Sequence, residues 1–191
     1  MSSPDLPEDM TSSPGVAEIR VITTGETLSL RQTVLRPGRS IAAAQFSGDN
    51  APATRHFGAF SAGRLVGIAS LFLAEMPGQS GVAAWQLRGM ATAPEARGKG
   101  FGRALGAACV AFARENGARL LWCNARTPAV GFYRKLGFET LGGEFEIPGV
   151  GPHFRMTLQL GGRIQGSAVP QSGLRAKKSS RFSGCPPARN T

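Results

Sequence analysis

Residues 97–102, with the sequence RGKGFG, constrain the fold of this chain more than any other stretch. Three glycines occupy every second position between a predicted strand at 85–92 and an amphipathic segment that predicts a helix. A helix N-terminus presents unpaired backbone N–H groups and roughly half a positive charge. Glycines allow an anionic ligand to approach those groups closely. We therefore predict a phosphate-binding site made of main chain, to which Arg97 and Lys99 add positive charge.

Two familiar phosphate-binding motifs do not fit this stretch. A P-loop requires G-x-x-x-x-G-K-[S/T], and the chain contains no such run. A dinucleotide fingerprint requires G-x-G-x-x-G, but counting from Gly98 the third glycine position is occupied by Arg103. The glycines also follow a predicted antiparallel hairpin, whereas the dinucleotide fingerprint belongs to a first βαβ unit.

The order of the predicted elements indicates the fold class. Strands are predicted at 18–22, 56–60, 65–73, 85–92, 120–123, 138–141 and 154–160, and helices at 26–35, after the glycines, and from Thr127 to Leu136. The strands at 85–92 and 120–123 are joined by a helix, which predicts that they are parallel. Residues 142–153 are predicted to be a loop. The result is an α/β domain with a mixed, mostly antiparallel central sheet and flanking helices.

Three regions follow from composition. Residues 1–16 are polar and rich in proline, and we expect them to be disordered. Residues 17–160 form the predicted domain, and residues 161–191 form a basic tail, also predicted to be disordered. The net charge is +10, but six basic residues lie in the tail and three acids lie in the first segment. The excess of basic residues in the domain fits a nucleic acid or a small polyanion, and charge alone does not choose between them.

Several other features narrow the class of protein. Three cysteines lack metal-ligand spacing, and their odd number argues against a disulfide framework. The first residues do not have the pattern of a signal peptide, and the apolar run at 65–74 is too short to span a bilayer. We expect a cytoplasmic protein with no metal and no membrane association.

Two motifs together make the chain resemble the GNAT family of acyl-CoA-dependent N-acyltransferases. The first is R-x-x-G-x-G at 97–102. The second is the segment 129–138, AVGFYRKLGF, which follows a strand ending at Asn124 and is similar to the family's A-x-x-[F/L]-Y-x-x-x-G-F. The resemblance covers about residues 18–160 and implies the GNAT fold, with acetyl-CoA as co-substrate.

The resemblance also implies a set of residues that bind coenzyme A. The backbone of the R-x-x-G-x-G loop would bind the pyrophosphate, and the end of the preceding strand would pair with the pantetheine arm. A main-chain N–H there would polarise the thioester carbonyl. The neighbouring strand would contribute one side chain. These positions are Arg97, Gly98, Lys99, Gly100, Phe101 and Gly102 in the loop, Met90, Ala91 and Thr92 in the strand, and Asn124, which alternatively caps the next helix.

Tyr133, the only tyrosine in the chain, occupies the position of the family's general acid. The resemblance implies that it protonates the leaving thiolate, and the alternative is a core tyrosine. Cys123 lies near the expected thioester, but a covalent intermediate is disfavoured because no His or Asp stands beside it in a suggestive position. The strand that often carries a carboxylate base reads Gln86-Leu87-Arg88 here. The general base is therefore unassigned, and a water relay is favoured.

The acceptor is the least defined part of the prediction. The resemblance places the first helix beside the acceptor, so that Arg31 is a candidate for binding an acceptor carboxylate. His153 is a candidate for facing the acceptor pocket, with Glu144 and Glu146 as candidates for binding a cationic amine. The alternative for Arg31, Glu144 and Glu146 is that each is a solvated surface charge. The alternative for His153 is a structural role.

The predicted activity is acetyl transfer from acetyl-CoA to a primary amine of a small molecule or peptide, by direct attack in a ternary complex. The chain would act as a monomer or a homodimer. The alternative is a non-catalytic adaptor that binds coenzyme A or nucleic acid and uses the basic tail. Because the tail has little aromatic interleaving, specific recognition of nucleic acid is not expected.

Overall fold

The computed structural model describes residues 17–161. A seven-stranded sheet in the order β1-β2-β3-β4-β5-β7-β6 runs through it. Neighbouring strands are antiparallel except for β4 and β5, which are parallel. The strands are β1 Glu18–Ile22, β2 Arg55–Ser61, β3 Arg64–Leu73, β4 Ala84–Thr92, β5 Leu120–Arg126, β6 Glu139–Ile147 and β7 Gly151–Gln159. The predicted α/β fold class and the parallel pair are confirmed, while the expectations for residues 1–16 and 162–191 lie outside the described part of the chain.

Three helices accompany the sheet: α1 Thr24–Leu30, α2 Phe101–Glu115 and α3 Val130–Lys135. Thr23 caps α1 in a capping box with Glu26. The helix then widens into one π-helical turn, Arg31–Leu35, so that the predicted helix at 26–35 is present with an altered last turn. Short 3₁₀ turns occupy Ile41–Ala44, Pro94–Ala96 and Thr127–Ala129. None of the described helices is both long and apolar enough to cross a membrane.

The apolar stripe of α2 faces the sheet. Leu105, Cys109 and Ala113 are fully buried there, and Phe101 is nearly so. Gly106 permits close packing against the end of α3, since a Cβ at this position would lie 2.6 Å from Leu136 Cδ1. Helix α2 therefore follows directly on the glycine loop at its N-terminus and packs against the end of α3.

The predicted loop at 142–153 is wrong, because most of it forms the hairpin between β6 and β7. Strand β6 continues to Ile147, and Phe145 pairs with His153 across the hairpin. The alternation of apolar residues breaks at Gly142 and Gly143, where the register shifts between Leu141 and Phe145. Strand β6 lies at the edge of the sheet and contains few apolar residues, so that its backbone hydrogen bonds to β7 contribute much of its stability. The local sequence does not indicate this pairing, because β7 lies further along the chain.

Strands β4 and β5 separate soon after they meet. Only Ala84, Trp85 and Gln86 of β4 pair with β5, although β4 continues to Thr92 and β5 to Arg126. From Leu87 onward β4 has no partner strand on its β5 side. This leaves a gap in the sheet between the carboxyl ends of two parallel strands, a place where α/β proteins commonly bind ligands.

Candidate functional site

The glycine loop ends in an uncapped helix N-terminus. Gly98 and Gly100 have φ of +74° and +88°, a region that side chains rarely adopt, and a Cβ at either position would meet open space. Gly100 is the N-cap of α2 and offers no side-chain hydrogen bond to the first turn. The first N–H groups of α2 are thus left for a ligand.

A cavity of about 340 Å³, which we call the glycine cavity, lies over this terminus. It is lined by Thr92, Ala96, Arg97, Gly98, Gly100, Phe101, Gly102, Arg103 and Phe132. The lining contains two arginines and no acid, and the helix terminus adds positive potential. The cavity therefore has the chemistry of a phosphate site, and all but Lys99 of the predicted loop residues line it.

A second cavity, the main cavity, occupies the gap between β4 and β5 and has a volume of about 500 Å³. It is lined by Leu35, Arg36, Phe46, Gln86, Leu87, Arg88, Gly89, Met90, Asn124, Ala125, Arg126, Ala129, Tyr133, Ile147, Val150 and His153. The end of β4 joins the two cavities, because Met90 lines one and Thr92 lines the other. A long ligand could lie along this free strand edge with an end in each cavity.

A β-bulge distorts β4 at the middle of this path. Gly89 and Met90 together face Ala69 of β3, since Arg88 pairs with Ser70 and Ala91 with Ile68. Gly89 has φ of +60°, and a Cβ there would lie 2.9 Å from Phe46 Cε2. Bulges reorient backbone groups beside active sites.

The three predicted residues of β4 do not share one environment. Met90 lines the main cavity and Thr92 the glycine cavity. Ala91 is 5% exposed and packs in an apolar cluster with Ile22 and Ile68. Only the main chain of Ala91 is therefore available to a ligand.

Asn124 lies on β5 in the wall of the main cavity. Its Oδ1 is buried and has no hydrogen-bond partner among the described residues. The alternative role as a helix cap is wrong, because Ala129 occupies the N-cap position of α3 and Arg126 that of the preceding 3₁₀ turn. A buried acceptor without a partner is costly, so a ligand donor at this position would be stabilising.

Tyr133 reaches the main cavity from α3. Its ring packs edge-to-face against Phe132 and Phe138, at centroid distances of 5.2 and 5.6 Å, which fixes the side chain. The hydroxyl makes no hydrogen bond with any other described residue. Burial, followed by the neighbouring thiols of Cys123 and Cys109, raises the pKa of Tyr133 well above its ordinary value. The phenol therefore stays protonated at neutral pH and can donate a hydrogen bond.

The two cysteines in the described region are free, buried thiols. Cys109 is fully buried and Cys123 is 1% exposed. Burial raises the pKa of both thiols far above the ordinary range. Because the thiolate is the nucleophile, the structure gives no support to a covalent route through Cys123.

The proposed contact between Arg31 and the acceptor is wrong. The Arg31 side chain is fully buried and forms an ion pair with Asp49, with Nη1 2.6 Å from Oδ2. It also donates to the carbonyl of Ala44 and the hydroxyl of Ser70. The helical pattern placed Arg31 on α1 but did not reveal that this face of the helix packs on the sheet.

The two histidines differ in role. His56 is buried behind Arg31, where Nε2 donates to the Asp49 carbonyl at 3.0 Å and Nδ1 accepts from Ser70 Oγ at 2.8 Å. These contacts give His56 a structural role. His153 lines the main cavity as expected, and its Nδ1 donates to the carbonyl of Gly151 at 2.7 Å. The nitrogen of His153 that remains for a ligand is Nε2.

Sequence reasoning placed Arg36 after the first helix but missed Arg88 and Arg126, and it missed that the three arginines share the main cavity. Arg36 follows α1, Arg88 lies on β4 and Arg126 ends β5. They are 38 residues or more apart along the chain, so no local spacing could indicate that they share one cavity. Glu144 and Glu146, the candidates for binding a cationic amine, do not line it.

The sheet order, the separating parallel pair and the glycine loop at the start of α2 define the class of GNAT-type acetyltransferases. A sequence model described as "Acetyltransferase (GNAT) family" matches residues 27–138. The protein named "Uncharacterized N-acetyltransferase YitI" of Bacillus subtilis (strain 168) is 37% identical over 139 residues, which cover 73% of this chain and 93% of that protein. The chain belongs to the GNAT acetyltransferase family.

Solved structures with low sequence identity share the fold. The ribosomal-protein-S18-alanine N-acetyltransferase of Escherichia coli has a TM-score of 0.62 and 17% identity, over 83% of this chain and all of that one. An acetyltransferase of Bacillus subtilis in complex with CoA has a TM-score of 0.56 and 16% identity, over 76% of this chain and 99% of that one. These likenesses support the fold, and the second shows that a chain of this fold binds CoA.

Proposed function

We propose that the protein transfers the acetyl group of acetyl-CoA to a primary amine by direct attack in a ternary complex. The observation that carries the proposal is the continuous path along β4. It begins at the uncapped N-terminus of α2, follows the unpaired strand edge, and ends in a cavity lined by Tyr133 and by Asn124, whose Oδ1 has no partner among the described residues.

The donor would be held mainly by backbone. The N–H groups at the start of α2 would bind the pyrophosphate, supported by the charges of Arg97 and Lys99. The free edge of β4 from Met90 to Thr92 would hydrogen-bond the amides of the pantetheine arm as a neighbouring strand does. Asn124 Oδ1 would accept from an N–H of the same arm, which gives this buried atom a partner.

The bulge at Gly89–Met90 would place a backbone N–H against the thioester carbonyl. Donors aimed at an oxygen that gains negative charge stabilise the tetrahedral transition state. The amine nitrogen forms a bond to the carbonyl carbon, and the carbon–sulfur bond then breaks. The nitrogen loses one proton to solvent, and the sulfur gains one from the Tyr133 hydroxyl, which solvent reprotonates.

Between residues 17 and 161, no Asp or Glu lines the main cavity. Deprotonation of the amine is therefore assigned to water, with His153 Nε2 as a polar neighbour of the acceptor. We place the activity in the cytoplasm, where acetyl-CoA is available to an enzyme of this class.

The decisive experiment is a thiol-release assay with acetyl-CoA and a panel of primary amines, run beside calorimetric titration of CoA. Acetylation of any amine, lost in Tyr133→Phe while CoA affinity is retained, would support the proposal. CoA binding without turnover of any amine would favour the adaptor. A second arm deletes residues 162–191. Turnover should persist, whereas its loss would assign the basic tail a part in the reaction.

A further inference from the structure

The described residues that line the main cavity carry an excess of positive charge. Arg36, Arg88 and Arg126, which we call the arginine cluster, all line it, and the lining contains no carboxylate. None of the three forms an ion pair with a described residue. The buried carboxylate of Asp49 accepts from both Nη atoms of Arg31 and from the backbone N–H of Phe46. Its two oxygens are thus already engaged.

The cluster is held in place rather than spread into solvent. Arg88 stacks on two rings, with its guanidinium carbon 4.9 Å from the centroids of Phe46 and Phe72. Phe46 is itself packed on the buried Arg31, whose guanidinium carbon lies 4.1 Å from the ring centroid. Stacking of this kind fixes the plane of a guanidinium while its N–H edge stays free to bind an anion.

Arg126 links the end of β5 to the segment that carries Arg36. One Nη of Arg126 donates to the carbonyl of Leu35 at 2.7 Å, which leaves its other N–H groups for a ligand. Burial, followed by repulsion from Arg126 and Arg39, lowers the pKa of Arg36. Like charges gathered in a partly buried site are unfavourable, and an anion placed among them relieves the repulsion.

This anion is not a phosphate of the donor in the proposed binding mode. The glycine cavity provides a separate phosphate site with its own helix terminus, and the two cavities share no lining residue. The arginine cluster lies instead around the end of the path where the acetyl group would be transferred.

We propose that the acceptor is a small amine that carries a carboxylate or phosphate group a few bonds from its nitrogen, bound by Arg36, Arg88 and Arg126. This inference rests on the proposed acetyl transfer and specifies its second substrate. Arg88 precedes the bulge residue Met90 by two positions, roughly 7 Å along an extended strand. The anionic group and the attacking nitrogen must therefore be close together. Polyamines and other polycations are the wrong charge for this cavity.

The test compares amines in matched pairs with acetyl-CoA as donor. Glycine, β-alanine and γ-aminobutyrate are each paired with the corresponding amide, and phosphoethanolamine is paired with ethanolamine. Spermidine serves as the polycation.

Rates are expressed as kcat/KM per unprotonated amine, because removing the anionic group also changes the pKa of the amine. The expected result is a preference of about tenfold or more for the anionic member, the size of a charge-assisted hydrogen bond. The carboxylate and phosphate pairs show which anion is preferred.

Three variants locate the effect. Arg36→Glu should raise KM for the anionic amine and leave the affinity for CoA unchanged, and Arg36→Lys should retain most of the preference. Arg119→Glu makes the same change of charge at an exposed position outside both cavities and should have little effect. Equal kcat/KM for acids and amides, or equal KM in the two glutamate variants, would overturn the inference and leave acetyl transfer standing.

If no amine is acetylated, that result counts against the proposed function. A binding measurement then tests the anion site by itself. Glutarate and inorganic phosphate are titrated into the protein saturated with CoA, so that the glycine cavity is already filled. Binding by the wild type that is lost in Arg36→Glu but kept in Arg119→Glu would support an anion site. Absence of binding by the wild type would refute it.

Discussion

The two cavities are built from different parts of the protein. The glycine cavity presents backbone N–H groups and bare Cα positions, and its charge comes largely from the start of α2. The main cavity is lined by residues from the end of the π-helical turn after α1, from β4, β5 and α3, and from the β6–β7 hairpin. A backbone site of this kind recognises a group common to all acyl donors of one class, whereas a side-chain site can be altered one residue at a time. Within one fold, the first suits a constant substrate and the second a substrate that varies between relatives.

The largest effect should come from the support of the main cavity. Arg31→Ala leaves the Asp49 carboxylate buried without its partner, which is expected to reduce the free energy of unfolding by about 3–5 kcal/mol. Urea denaturation measures the change. Arg20→Ala breaks the exposed pair with Glu18 and is the control, with no appreciable loss expected. If the Arg31→Ala protein is as stable as the wild type and has a raised KM for the acceptor, Arg31 binds the acceptor and is not a structural residue.

The glycine cavity should be disrupted by a single side chain. Gly100→Asp places a carboxylate beside the N–H groups proposed to bind pyrophosphate, and we expect CoA affinity to fall about a thousandfold, the loss of two charge-assisted hydrogen bonds. Gly78→Asp is a closely matched control, because Gly78 also has φ of +88° and open space around its Cβ position, in a turn outside both cavities. Calorimetry that shows the same CoA affinity in both variants would refute the backbone site.

Tyr133 lies where the two substrates are expected to meet, so its removal should affect the chemical step alone. Tyr133→Phe keeps the packing against Phe132 and Phe138 and removes the proton donor. We expect kcat to fall about a hundredfold, with the CoA dissociation constant unchanged. Steady-state kinetics and calorimetry on the same preparation separate the two quantities. An unchanged kcat would leave Tyr133 as a core residue only.

The smallest effect concerns pH and the network beneath the main cavity. Burial is the main cause that lowers the pKa of His56, partly offset by its hydrogen bond to the Asp49 carbonyl, while the charge of Arg31 lowers it further. Because the unfolded chain then binds a proton more readily than the folded one, stability is fully present above about pH 6.5 and is lost as pH falls through the lowered pKa. Thermal unfolding between pH 7.5 and 5 measures this, and His56→Gln should flatten the profile. A wild-type profile that is already flat would contradict the assignment.

The donor side could be predicted from the sequence because its signals are local. Strand β4, the glycines and the apolar stripe of α2 follow one another without interruption, and the helix begins at Phe101 as the glycine spacing indicates. The second motif places Tyr133 on a short helix, as found. What local signals did not reveal was the separation of β4 from β5, since that depends on where two distant segments cease to pair.

The acceptor side could not be predicted in the same way. Arg31 has the position of an exposed helical residue in sequence, yet Asp49 and Ser70 bind it in the interior. Residues 142–153 are rich in glycine and proline, yet pairing with β7 turns most of them into a hairpin wall. In both cases a contact across the fold outweighed the local preference, as tertiary packing commonly does.

The sequence by itself determined the family, the fold class and the place of the glycine loop at the start of α2, because each depends on residues that are neighbours in the chain. Only the tertiary structure decided which charges line the main cavity. It buried Arg31 with a counter-charge and gathered Arg36, Arg88 and Arg126 in one cavity whose described lining contains no carboxylate. The physical reason is that a guanidinium acts according to the charges and solvent around it, and folding alone sets those surroundings.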